Sequence, residues 1–241
     1  MRGSWRDRQE APAPEPFKTS RPIAKWLVPL FAFSIAVDAV AIISDISYLQ
    51  LIDRAIGGAE IFIDEVETAE SRQGIIGITQ LVLFAATVVL FLIWFRRSYR
   101  NLGSLGADWL RFKPGWAVGA WFVPLLNAVR PKEIANDIWR VSDPQLPRTL
   151  NGPALGHPVS PLVNSWWGVF LISGALGRAS FTGVDAETLD ELATAARYFV
   201  AADIAALVAG VLAIMVVREV TERQDHRHHI LAQAPSPPPP S

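Results

Sequence analysis

Three carboxylates in this chain sit where carboxylates are costly. Asp38 and Asp45 fall in "SIAVDAVAIISDIS" and Asp203 in "YFVAADIAALVAGV", each inside a long apolar run. An ionised acid at bilayer depth is expensive, so such groups face a bundle interior, take up a proton or find a partner. The heptad separation of Asp38 and Asp45 puts them within about 20° of each other on one helix face, with Ser34 a turn away from Asp38. The chemistry open to such a set is a proton or cation relay. The competing reading is a structural polar contact, or for Asp45 a position close to the outer surface.

A second candidate lies in "PGWAVGAWFVPLLNAVRP", Pro114 to Pro131. Pro131 can serve as the first residue of a helix, which would put free backbone N–H groups and the positive end of a dipole beside Arg130 and Lys132. That combination holds anions, and at headgroup level the expected occupant is the phosphate of an anionic phospholipid. Asn127 would line the turn or cap the helix, and Trp121 and Trp139 would wall the site against acyl chains. The plainer alternative is that Arg130 and Lys132 snorkel to the inner surface.

Other chemistries find little support. The chain has no cysteine, which removes disulfides, thiol catalysis and Cys-based metal sites. Of the histidines, His157 is isolated and only His226, His228 and His229 cluster, in a segment expected to lack the fixed scaffold a built metal site requires. No nucleophile elbow, P-loop, Rossmann glycine pattern or HExxH occurs, so no cofactor or metal site is expected, and a membrane enzyme acting on lipid or quinone stands only as a third reading for which the sequence nominates no catalytic residue. Gly115 and Gly119 form a GxxxG pair, better explained by close approach of a short segment to neighbouring helices than by a phosphate cradle.

The elements that would position these residues follow from composition. The 241 residues are 51% hydrophobic, with a mean hydropathy of +0.26, more apolar than one soluble domain needs. The net charge of −1 conceals strong segregation of sign and offers no basic stripe, so a nucleic-acid partner is not expected. Four apolar runs approach the roughly 20 residues a bilayer requires: 27–48, 75–95, 162–179 and 198–217. Backbone groups cannot go unpaired in lipid, so each is expected to be helical. The expected fold is an all-α integral membrane protein, a bundle of four transmembrane helices with a re-entrant or interfacial helical segment, 114–143, between spans two and three.

Orientation follows from the flanking cations. Arg2, Arg6, Arg8, Lys18, Arg21 and Lys25 precede the first run, and Arg96, Arg97, Arg100, Arg111, Lys113, Arg130, Lys132, Arg140 and Arg148 lie between the second and third. The other two connections are acidic, with Asp53, Glu60, Asp64, Glu65, Glu67 and Glu70 in one and four acids in the other. A multi-pass protein of the cell membrane with both termini cytoplasmic is therefore expected, with residues 1–22 a disordered tail and 218–241 a second tail ending in prolines. Thr188 with Glu191 fits a capping box, which would start the fourth helix well before its apolar run.

Counting Gly115–Val129 as a further span would put the basic connector on both faces, so this run is expected to enter and leave from one side. Pro124 predicts a break near "FVPLLN". Beyond Pro131, Ile134, Ile138 and Val141 recur at helical spacing opposite Lys132, Glu133, Asn136, Asp137 and Arg140, as in a helix lying in the interface. Trp26, Trp94, Trp109, Trp116, Trp121, Trp139, Trp166 and Trp167 all fall near this predicted inner face.

The stretch "NLGSLGADWLRFKPGWAVGAWFVPLLNAVRPKEIANDIWRVSDP", Asn101 to Pro144, resembles a bacterial membrane family catalogued as domain of unknown function 4328. The matching positions are Asn101, Leu102, Gly106, Pro114, Gly115, Trp116, Trp121, Phe122, Val123, Pro124, Asn127, Pro131, Trp139, Ser142, Asp143 and Pro144. Ala120 replaces an expected bulky aromatic, and "NAVRPKE" replaces a more aromatic stretch. The resemblance implies a four-span plan and supplies no activity. The expected function is a non-catalytic membrane module that binds an anionic phospholipid or a membrane protein at its cytoplasmic face. The alternative is a small transporter or proton-coupled device using Asp38 and Asp203.

Overall fold

A computed structural model describes residues 15–107, 110–147, 158–181 and 185–233. Trp109, Arg148, His157, the cations of the first eight residues and the proline run at the C-terminus lie outside the described residues. The order of elements is α1 (Arg21–Ile56), α2 (Ile63–Arg100), α3 (Trp116–Gly119), a 3-10 turn (Leu126–Ala128), α4 (Arg130–Val141), α5 (Pro161–Ser180) and α6 (Leu189–Gln233). No strand occurs among the described residues, so the all-helical expectation is met.

The expectation of four spans is not. Three helices, α1, α2 and α6, with 36, 38 and 45 residues, are long and apolar enough to cross a membrane. The third predicted run is a helix of 20 residues, α5, but Asn164, Ser165, Ser173 and Arg178, with Gly168, Gly174 and Gly177, dilute it. Length alone does not make a span when polar groups and glycine replace aliphatic side chains.

The helices also outrun the apolar runs that predicted them. α6 opens at the expected capping box: the Thr188 hydroxyl accepts from the Glu191 N–H at 3.2 Å, and the Glu191 carboxylate accepts from the Thr188 N–H at 3.2 Å. It then continues to Gln233, so 218–233 is helix and not tail. Between α1 and α2 the chain turns at Gly58, whose φ of +77° suits a residue without a Cβ.

The chain divides into two compact units. One comprises Ile23–Phe91 and Pro161–Arg218. Its helices meet through small and branched side chains: Ile52 with Ala193 and Ala196, flanked by Tyr48, Leu49 and Leu192, and Gly210 on α6, where a Cβ would lie 3.0 Å from Ile35 on α1. Trp166 of α5 stacks with Phe170 and meets Phe91 at 5.8 Å. Outward-facing Phe33, Ile43, Ile78, Leu81 and Phe84 stay exposed, a distribution suited to hydrocarbon and not to water.

The other unit comprises Met1–Pro22, Leu92–Ser160 and Glu219–Ser241. Its core is Trp94, Phe95, Tyr99, Leu102, Leu105, Ile134, Ile138 and Val220. The predicted apolar face of α4 is buried as Ile134, Ile138 and Val141, joined by Ala135. Residues 15–20 are held rather than free. Asn101 accepts from the Lys18 N–H and donates to its carbonyl, Ser20 meets Ser98, and Phe17 stacks on His228 at 4.1 Å. Arg21 and Asp225 form an ion pair, fastening the first turn of α1 to α6.

Candidate functional site

The three acids singled out above come together in the helical unit, and glutamines join them. The Gln80 Nε2 on α2 donates to Asp38 Oδ1 on α1 at 3.1 Å and to Asp203 Oδ1 on α6 at 3.2 Å. Gln73 Nε2 donates to Asp45 Oδ1 at 2.9 Å. Asp38 with Gln80 and Asp45 with Gln73 form two rungs whose numbering rises on α1 as it falls on α2, the signature of antiparallel helices. Both pairs of partners are seven residues apart, so the rungs stay on facing stripes.

Asp45 lies close enough to Asp203 for the two carboxylates to act on each other's charge. Asp45 Oδ2 is buried and meets no hydrogen-bond partner among the described residues. Ser34 does not take part, because its hydroxyl turns back to the Leu30 carbonyl. One residue from the upper rung, Arg72 Nε donates to Ser44 Oγ at 2.8 Å.

Sequence reasoning missed Gln73 and Gln80. The signal was present: their heptad spacing repeats that of Asp38 and Asp45, and an amide is the natural partner for a carboxylate that cannot afford to stand alone.

The second candidate site is arranged differently from its expectation. α3 ends at Gly119 and the chain breaks at Phe122–Leu125, as Pro124 predicts; Leu125 has φ +65°, a strained value for a leucine, and is 87% exposed. α4 starts at Arg130 rather than Pro131, with Val129 as N-cap and no side-chain cap, so Asn127 does not cap it. Asn127 lies in the 3-10 turn and is exposed. The Arg130 guanidinium lies 4.4 Å from the Trp116 ring and 4.9 Å from Phe112, held between two aromatic faces. Glu133 in the first turn supplies the negative charge that the helix dipole favours, and it pairs with Arg111 at 3.0 Å. Burial, with repulsion from Arg140 behind it, pushes the Lys132 amine down to about 8. Burial likewise raises the Asp137 carboxyl, against the opposing pull of Arg111 and Arg140.

Trp139 faces the Arg223 guanidinium at 4.2 Å, and Trp121 meets Phe95 edge-on at 5.9 Å. Arg130, Trp121 and Trp139 thus each meet a partner within the unit. Several of these residues and their neighbours in the motif brace the unit itself.

Arg227, hidden in the "HRHH" run, is the strongest instance of such bracing. It is 1% exposed and donates to the carbonyls of Leu105, Asp143, Leu146 and Pro147 at 2.8 to 3.1 Å. Its signal was the buried stripe Val217, Val220, Thr221, Gln224, Arg227 at helical spacing, which continues α6 past its apolar part. Of the histidines beside it, His228 stacks on Phe17 and His229 bonds Gln233.

A family model described as Domain of unknown function (DUF4328) matches residues 58–222, more than half of the chain. No curated protein and no solved structure matches.

Proposed function

Because the chain belongs to that family of unknown function, which brings no activity with it, we propose from the side chains that it is a membrane-embedded, proton-coupled device of the transporter class. Its exchanging group is the Asp45–Asp203 pair, with Asp38 and the two glutamines as its polar frame. The observation that carries this reading is the amide of Gln80, which bridges carboxylates of α1 and α6 from a third apolar helix. Such groups inside membrane helices are costly and accompany ion pathways and proton relays. The basic segments before α1 and between α2 and α5 favour the cytoplasmic side of a bacterial inner membrane for those two segments, and a cytoplasmic C-terminus as well requires α5 to complete an even number of crossings.

The test is proton uptake in proteoliposomes under an imposed potential, followed by a pH-sensitive dye trapped inside. Uptake should fall at least about tenfold in Asp203→Asn, the loss expected when a residue of a proton path can no longer exchange. Wild-type flux in Asp203→Asn combined with Asp45→Asn would refute the proposal.

A second reading, lipid binding at the cytoplasmic face, is favoured by one observation. Trp121 touches Phe95, the last apolar residue before Arg96 and Arg97, and leads directly into the exposed Phe122, Val123 and Leu125. That tip suits a shallow dip of 114–143 into the inner leaflet, with Arg130 and Lys132 near anionic phosphates. Native mass spectrometry separates the cases. Loss of anionic-lipid retention in Arg130→Ala with Lys132→Ala, but not in Arg96→Ala with Arg97→Ala, supports a site; equal loss in both reduces it to general surface charge.

A further inference from the structure

The helical unit contains a groove of about 840 Å³ between α1 and α2. Its walls change character along its length. Asp64, Glu67, Ser47 and Ser71 line one part, and Val40, Ile76 and the outward-facing Ile43 and Ile75 another. On α1 the order from Val40 to Ser47, and on the antiparallel α2 from Ile76 to Asp64, runs from apolar to polar toward the connection between the two helices. The polar lining stops at Ser44 and Arg72, the two residues hydrogen-bonded to each other.

Immediately beside that contact, in sequence on both helices, lie Asp45 and Gln73, the upper rung of the acid–amide set. The polar part of the groove thus leads from the acidic α1–α2 connection to the residues next in sequence to Asp45 and Gln73, and Arg72 stands where that polar lining gives way to Ile43, Ile75 and their neighbours.

We propose that the polar part of this groove is the aqueous access route to the Asp45–Asp203 pair, reached from the face opposite the basic segments, and that the Arg72–Ser44 contact closes the inner end of that polar part. The proposal rests on the reading of that pair as the exchanging group, and it assigns the side from which the proton arrives. The chemistry of the polar walls favours water over an acyl chain as the occupant of that part. Hydroxyls and carboxylates lining a slot in a membrane helix pair would lose their hydrogen bonds to water if hydrocarbon filled it. A guanidinium across the inner end also sets a positive charge in the path of any cation, so passage requires Arg72 to leave Ser44.

The absence of native cysteine makes the test direct, because every introduced thiol reports on itself. Ser47→Cys, Ser71→Cys, Ser44→Cys and Ile78→Cys are each reconstituted in the full chain and exposed to a membrane-impermeant thiol reagent from one side at a time. Ile78 is 67% exposed but outside the groove, so it reports lipid-facing exposure. Thiols react as thiolates, which form in water and not in hydrocarbon. Ser47→Cys and Ser71→Cys should label from the face opposite the basic segments, and Ile78→Cys should stay silent. Ser44→Cys, which keeps a weak acceptor for Arg72, should label slowly and then about tenfold faster once Arg72→Ala removes the cover.

Arg72→Gln serves as a second opening variant should Arg72→Ala lose its monodisperse elution, and the wall positions are read with Arg72 intact. Silence at Ser47→Cys and Ser71→Cys equal to that of Ile78→Cys would mean a lipid-filled groove and overturn the route. Labelling from the basic side would overturn its direction, and a Ser44→Cys rate indifferent to both Arg72 variants would overturn the closure. Labelling reads water access whether or not the pair exchanges a proton, so its outcome is independent of the dye experiment on Asp203→Asn.

Discussion

Replacing Gln80 by Leu is the sharpest single test of the acid–amide set. The side chain keeps its size and its helix propensity, but the Nε2 that donates to Asp38 at 3.1 Å and Asp203 at 3.2 Å disappears. Two carboxyl oxygens on two other helices then lose a donor at once. Interhelical hydrogen bonds in membrane proteins are worth about 0.6 kcal/mol on average and at most about 1.7. Two such bonds, with the added cost of leaving part-buried acceptors unpaired, predict a destabilisation of about 1 to 3 kcal/mol. The assay is reversible unfolding in mixed micelles, with Thr79→Ala as control. Thr79 is next in sequence but bonds only its own helix, at the Ile75 carbonyl, so its loss should stay within about 0.5 kcal/mol. A double-mutant cycle with Asp38→Ala completes the argument, because residues sharing a bond should couple by about 0.5 kcal/mol or more. If Gln80→Leu behaves like Thr79→Ala, or adds to Asp38→Ala within experimental error, the bridge contributes nothing and the reasoning fails.

Arg227→Met should destabilise the protein by about 3 kcal/mol or more, since one buried guanidinium serves four carbonyls. Hydrogen exchange should show the loss first at residues 143–147. Lys132→Met should stabilise the protein at pH 7, where the half-buried ammonium opposes folding. The amine titrates at about 8 in the fold against 10.5 in its ordinary state, so wild-type stability rises with pH across that window and the advantage of Met should shrink through it. A constant advantage from pH 7 to 10 in thermal melts would contradict the assignment. Thr188→Ala should cost about 1 kcal/mol of α6 stability, seen as faster amide exchange confined to the first turn.

Much of this molecule is written in local sequence. Apolar runs and their flanks dictated helices, because a helix closes its hydrogen bonds within a few residues. The Thr188–Glu191 cap, the break at Pro124 and the buried face Ile134, Ile138, Val141 are short-range features of the same kind. The common face of Asp38 and Asp45 was equally legible, since it needs only the helical repeat. The partners were not. Gln80 lies 42 positions from Asp38 and 123 from Asp203, and which stripe of α2 meets which stripes of α1 and α6 depends on register and rotation, which periodicity within one helix leaves open. Tertiary structure alone decided that Arg130 lies between Phe112 and Trp116 instead of facing open lipid, and that the "HRHH" run is helix with Arg227 at its core. A charged side chain advertises a need for partners in its own sequence, but who satisfies that need is settled where distant segments pack, and only there.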